Sequence, residues 1–162
     1  MNICSGGVRT YIYAGRLDKG KGILKLLNEW INLPGTYVLE VYGEGECAAE
    51  VRKLAAKCPN IHLNGFCPQK ELFNSLKSAV ALITPYIWYE GYPMNIAECF
   101  SLGVPVVSTS IGNAGDLVSK SNAGTLFDFE VKGSFRKALD AVYEQRTKFS
   151  FNAYNYYLCN QT

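Results

Sequence analysis

Short β-branched runs and helical apolar patterns alternate along almost the whole chain. Residues 9–14 (RTYIYA) are aromatic and β-branched, the composition of a strand. After a glycine-rich turn, Ile23, Leu26, Leu27, Trp30 and Ile31 follow the i, i+3, i+4, i+7, i+8 spacing of one helix face. Pro34 and Gly35 end that helix. Residues 37–42 (YVLEVY) form a second strand expectation, closed by a GEGE turn. A helix is expected over 48–57 with Val51, Leu54 and Ala55 inward, then a short strand over 61–63. Residues 69–78 read as a helix with Leu72, Phe73 and Leu76 inward, and 80–83 as a buried strand. A helix over 94–101 and a strand over 105–108 follow. Residues 112–118 hold a turn and a short helix that Asp116 begins, and 125–127 an edge strand. Helices over 131–143, with Phe135, Ala138, Leu139 and Val142 on one face, and over 149–158 close the chain.

Alternation of this kind means βαβ units and a parallel sheet covered on both faces. Six strands predict one α/β domain, doubly wound and Rossmann-like, with ligands at the carboxyl ends of the strands. The length of 162 residues suits one domain with a real core. The expected division is a lead-in over 1–8, a ligand-binding domain over 9–148 and a terminal helix over 149–162. A net charge of +2 argues against nucleic acid as a partner. No apolar run reaches the roughly 18 residues of a membrane span, and the N-terminus has no signal-peptide core. A cytoplasmic location is therefore expected. The six cysteines show no CxxC pair and no ligand spacing, which favours reduced thiols; Cys99 falls in a buried helix. His62 is the only histidine, so a multi-histidine metal site is not expected, nor a histidine-based triad. A structural or surface role suits it better.

Four turns carry chemistry. One stretch, EGYPMNIAE, follows the strand over 80–83 and brackets a helix start with Glu90 and Glu98. Gly91 lets the backbone bend, and Pro93 is tolerated in a first helical turn. The free N–H groups of that turn make an anion site with a carboxylate on either side. Carboxylates accept from sugar hydroxyls, so the pattern fits a ligand carrying both phosphate and sugar. Paired carboxylates also suit a glycosidase's acid and base, but such a site needs no phosphate cradle. The first turn, GRLDKGKG over 15–22, places Arg16 and Lys21 over a helix start, where a diphosphate could lie. It matches GxxxxGK, but Gly22 stands where a P-loop needs Ser or Thr on magnesium. Taken alone it reads as a solvated basic turn. The GEGE turn over 43–46 admits a close ligand approach or is a plain tight turn. The SIGNAGDLV stretch over 110–118 offers further N–H groups around Gly112 and Gly115. Asp116 is otherwise an ordinary acid at a helix N-terminus.

In order and spacing, these four motifs resemble the C-terminal, donor-binding domain of retaining GT-B glycosyltransferases of the large family four. The resemblance runs from Tyr11 to about Phe127. It implies transfer of a sugar from a nucleoside diphosphate sugar (UDP- or GDP-linked) to an acceptor glycan, lipid or other molecule. Arg16 and Lys21 resemble the basic pair on the donor diphosphate, beside Gly15. Glu98 resembles the glutamate on the ribose hydroxyls, and Glu90 the one near the transferred sugar. The backbone of Gly91, Tyr92, Pro93, Met94 and Asn95 resembles the loop that holds sugar and phosphate. Glu90, Arg16 and Lys21 are thus the expected catalytic set.

No cofactor and no metal are implied. Asp116 and Gly115 stand where the family commonly has glutamate and proline, a departure in that turn. Such enzymes place the acceptor on an N-terminal domain, which the resemblance makes the expected partner. It implies little or no transfer by the chain alone. It also implies peripheral association of the full-length enzyme with the inner face of the cytoplasmic membrane. The helix over 149–158 would lay Phe149, Phe151, Tyr154, Tyr156 and Tyr157 on that first domain. A nucleotide- or partner-binding module that kept the half-fold without chemistry is the alternative class. A GT-B epimerase or phosphorylase suits the motifs less well, and a pyridoxal-phosphate lysine site is not evident.

Overall fold

β1 (Arg9–Ala14) holds the middle of the sheet, because its side chains are apolar on both faces. The computed structural model describes residues 7–88 and 94–160 of the chain. The other strands are β2 (Tyr37–Tyr42), β3 (Ile61–Gly65), β4 (Ala81–Thr84), β5 (Val106–Thr109) and β6 (Gly124–Phe127). They lie in the order β3-β2-β1-β4-β5-β6, and each neighbouring pair is parallel. Tyr11 pairs with Leu39 on one side and Ala81 on the other. The chain winds outward from β1 to β3, returns, and winds outward again from β4 to β6. A crevice therefore opens between the carboxyl ends of β1 and β4, where the winding reverses.

Two helical layers cover the sheet. On one face α1 (Ile23–Trp30), α2 (Ala48–Ala55) and α6 (Ser134–Glu144) enclose Tyr11, Tyr13, Leu39 and Val41. Trp30 is wholly buried there, edge-on to Tyr11 and Phe135 with centroids at 5.6 and 5.8 Å. Its indole N–H donates to the Tyr37 carbonyl at 2.9 Å, so the one polar atom of this large side chain is satisfied. On the other face α4 (Met94–Ser101), α5 (Gly112–Ser121) and α7 (Arg146–Cys159) enclose Ile12, Leu82 and Val106, joined by Leu76 of α3 (Gln69–Ser78). Cys99 lies in this layer fully buried, as its helix position predicted, and burial pushes its thiol up.

The expected bounds differ from the structure where backbone geometry overrides apolar pattern. α6 begins at Ser134 rather than at 131, because Gly133 takes φ 82° and the Ser134 hydroxyl accepts from the Asp128 amide at 2.9 Å. Leu54, Ala55, Leu72 and Phe73 are only partly buried. Their helices flank β3, an edge strand whose His62, Leu63 and Asn64 are exposed. His62 Nδ1 lies 2.5 Å from Glu40 Oε2 on that edge. α5 corrects a further expectation: it begins at Gly112, so Asp116 sits in its second turn and does not begin it. Gly115 suits that early start, because a Cβ there would lie 2.6 Å from the Ser110 carbonyl carbon.

α7 is divided between two roles. Phe149 and Ala153 are buried, Tyr156 packs edge-on against Phe100 at 5.9 Å, and the Arg146 guanidinium donates twice to the Ala79 carbonyl. Phe149 and Tyr156 thus serve this domain's own core and do not belong to an outward aromatic face. Phe151, Tyr154 and Leu158 are the large apolar side chains that the helix exposes. No helix among the described residues is long and apolar enough to cross a membrane.

Candidate functional site

Three strand ends are laced together by backbone hydrogen bonds, and this lacing builds the floor of the crevice. The Gly15 amide donates to the Tyr42 carbonyl at 3.0 Å and the Gly43 amide to the Gly65 carbonyl at 2.8 Å. Leu17 donates to the Glu44 carbonyl at 3.0 Å, and the Cys47 amide donates back to the Leu17 carbonyl at 2.8 Å. The GEGE turn is small for this reason. A Cβ at Gly43 would lie 1.8 Å from the Gly15 carbonyl oxygen, and one at Gly45 would lie 2.7 Å from the Leu17 nitrogen. Its glycines let two turns approach each other.

The basic turn is joined as tightly to the far side of the crevice. The Gly20 carbonyl accepts from the amides of Ile87 and Trp88 at 3.2 and 3.4 Å. Gly22, in the left-handed region at φ 76°, backs directly onto Pro85 and serves as the N-cap of α1. The turn that carries Arg16 and Lys21 is therefore docked on the segment that leads from β4 towards the acidic stretch.

Arg16 is two-thirds exposed and its Nε donates to Asp18 Oδ2 at 3.1 Å. The other Asp18 oxygen accepts from the Glu46 amide at 3.2 Å. The hydrogen bond from Arg16 first, and that from Glu46 second, hold the Asp18 carboxyl below its ordinary range. Lys21 places its ammonium 5.3 Å from the centre of the Tyr86 ring. Asn95, in the first turn of α4, donates to the Tyr86 hydroxyl at 3.0 Å and to the Ala14 carbonyl at 3.3 Å. The N-terminus of α4 is thereby tied to the end of β1. Met94 beside it is exposed.

Glu98 lies one turn further along α4, and its Oε2 accepts from the Gln69 amide group at 2.8 Å. The apolar neighbours Ile96, Cys99 and Phe100 are buried, so Glu98 stands on the outward face of this helix. Glu90, Gly91, Tyr92 and Pro93 lie outside the described residues. The structure thus brings Gly15, Arg16, Lys21 and Asn95 to one edge, with Glu98 beside them on α4.

A cavity of about 380 Å³ opens on this edge, bounded by Gly15, Arg16, Gly43, Glu44, Phe66 and Asn95. Its size suits a nucleoside. Phe66 stands at its rim with 77% of its surface exposed. Phe66 and Tyr86 carry no motif signal. Each follows closely on a strand end, the one cue in the sequence that points to them. Among the described residues no group of three or more His, Cys, Asp and Glu gathers as a metal site.

The family described as glycosyl transferases group 1 matches residues 5–156. An uncharacterized glycosyltransferase of Methanocaldococcus jannaschii is 29% identical over 133 residues, which are 77% of this chain and 32% of that protein. Sucrose-phosphate synthase of Thermosynechococcus elongatus superposes with a TM-score of 0.81 at 18% identity, over 96% of this chain and 42% of that one. The Anabaena protein HepE, solved in complex with UDP, superposes with a TM-score of 0.78 at 18% identity, over 93% of this chain and 44% of that one. The chain spans less than half the length of each of these relatives.

Proposed function

The chain belongs to the glycosyl transferases group 1 family, and from that premise we propose that it is the donor-binding half of a retaining glycosyltransferase. The observation that carries the proposal is the gathering of Arg16, Lys21, the α4 N-terminus and a nucleoside-sized cavity on one sheet edge. The diphosphate of a nucleotide sugar would lie between the basic turn and the start of α4, within reach of Arg16 and Lys21. The nucleoside would enter the cavity under Phe66, with its ribose hydroxyls towards Glu98. Glu90 would meet the transferred sugar. The complex of HepE with UDP supports a nucleoside diphosphate as ligand.

In the reaction, the bond from the anomeric carbon to the diphosphate oxygen breaks and its electron pair leaves with the diphosphate. The acceptor hydroxyl oxygen bonds to that carbon, and its proton passes to the leaving diphosphate oxygen. Negative charge grows on the leaving oxygen, and Arg16 and Lys21 stabilise it more in the transition state than in the bound donor. The acceptor would sit on a second domain of the complete enzyme, so the chain alone would bind donor without turning it over. Calorimetric titration of this chain with UDP-, GDP- and ADP-sugars tests the proposal. Binding of one class, competed by its nucleoside diphosphate, is expected; no binding of any of them would sink it.

A further inference from the structure

Tyr86 belongs to none of the four motifs, yet it meets groups that two of them supply, Lys21 and Asn95. It follows β4, and the residue is 6% exposed. The Thr109 hydroxyl, from the end of β5, donates to its carbonyl at 2.7 Å. Asn95, from the start of α4, holds its hydroxyl. Lys21, from the basic turn, places its ammonium over its ring. A cation at that distance from a phenol ring is attracted by the negative face of the π system. The ring is fixed at both ends, by its backbone and by its hydroxyl. The lysine stem by contrast has four rotatable bonds, whose freedom must be lost when the ammonium meets a phosphate.

We propose that Tyr86 is a positioning residue for Lys21: its ring holds the ammonium over the crevice, so that a nucleoside diphosphate meets a charge already in place. The proposal rests on the donor-binding reading above. Preorganisation of a flexible charge raises affinity for the group it contacts and leaves the rest of the ligand unaffected. The effect of Tyr86 is therefore confined to the diphosphate. A ring that only filled the core would weaken binding of the nucleoside and the nucleotide alike.

The test compares UDP with uridine, and GDP with guanosine, by calorimetry on the purified chain. Tyr86→Phe keeps the ring and Tyr86→Leu removes it. The ratio of diphosphate to nucleoside affinity is expected to fall about three- to tenfold in the leucine variant and less than twofold in the phenylalanine variant. In a Lys21→Met background, Tyr86→Leu is expected to leave that ratio unchanged, since its route to the ligand is gone. The Lys21 ε-methylene protons should also show an upfield ring-current shift in the wild type and the phenylalanine variant that the leucine variant loses. This last measurement needs no nucleotide.

Should the leucine variant not fold, a size-matched series at position 86 replaces it: phenylalanine, 4-fluorophenylalanine and 3,4,5-trifluorophenylalanine. Fluorine drains the ring face of charge, so the ratio should fall stepwise; a flat series overturns the proposal. An equal loss from Tyr86→Leu with and without the Lys21→Met substitution overturns it as well. A wild-type chain that binds diphosphate and nucleoside equally overturns the donor-binding reading itself. A wild type that prefers the diphosphate, with the leucine variant keeping that preference, overturns only the role of Tyr86.

Discussion

Gly22 and Pro85 stand in backbone contact: a Cβ on Gly22 would lie 1.7 Å from the Pro85 carbonyl oxygen. Gly22 also takes φ 76°, which an L side chain reaches at a cost of about 1–2 kcal/mol. Gly22→Ala is therefore expected to destabilise the chain by at least about 2 kcal/mol, the contact adding to the torsional cost. Urea denaturation checks it. An unchanged midpoint would mean that the basic turn and the β4 segment are not docked as described.

Arg16→Ala or Lys21→Ala should each weaken nucleoside diphosphate binding by about 1.5–3 kcal/mol, as loss of a charged hydrogen bond does. Nucleoside binding should change little. Equal losses for nucleoside and diphosphate, measured by calorimetry, would reject the phosphate assignment.

Asp18 competes with the ligand for Arg16, through the contact at 3.1 Å. Asp18→Asn removes the competing charge and keeps an oxygen for the Glu46 amide. Affinity for the diphosphate is expected to rise a few-fold at low salt, with the gain shrinking as salt screens the charges. Weaker binding by the asparagine variant would show that Asp18 supports the site and does not oppose it.

Glu98 already gives one oxygen to Gln69. Glu98→Ala should reduce the preference for a ribonucleoside diphosphate over its 2′,3′-dideoxy analogue. An unchanged preference in a ligand-observed NMR competition would reject the ribose role. Gln69→Ala frees the second oxygen and should leave the preference in place.

The other end of the sheet sets an alkaline limit on stability. Burial, and then a hydrogen bond to the Asp140 carboxylate at 2.5 Å, raise the Tyr37 phenol above its ordinary range. Burial raises Tyr11 likewise. A raised phenol binds its proton longer in the folded chain than in the unfolded one. The stability it contributes is complete below the ordinary phenol value of about 10 and is lost as pH rises through the folded value. Urea midpoints should therefore fall from about pH 10 upward. Tyr37→Phe should flatten that fall, and an equally steep alkaline limb in this variant would contradict the assignment.

The alternation of apolar runs specified six strands and their parallel direction, because a strand buried on both faces and an amphipathic helix have distinct periods. β1, β2, α3 and α4 begin and end at the expected residues. Bounds drifted where one backbone torsion decided the start, as at Gly112 and Gly133. Of the candidate site, the turns over 15–22 and 43–46 and the start of α4 were legible, since charges and glycines collect at strand ends. Their mutual contacts were not. That Gly43 meets Gly15, or that Asn95 reaches Ala14, depends on which strands become neighbours, and a local pattern does not carry strand order. For the same reason the buried side of α7 was unreadable: Phe149 and Phe151 are alike in type, and only tertiary packing separates them.

The closeness of Gly20 to Trp88 has an evolutionary consequence. A Cβ at position 20 would fall 2.4 Å from the indole Cε3. The two positions are far apart in the chain, yet they draw on one small volume. Among related chains, a larger residue at position 20 should come with a smaller one at position 88. The pair should behave as a single exchangeable unit, inherited together or replaced together.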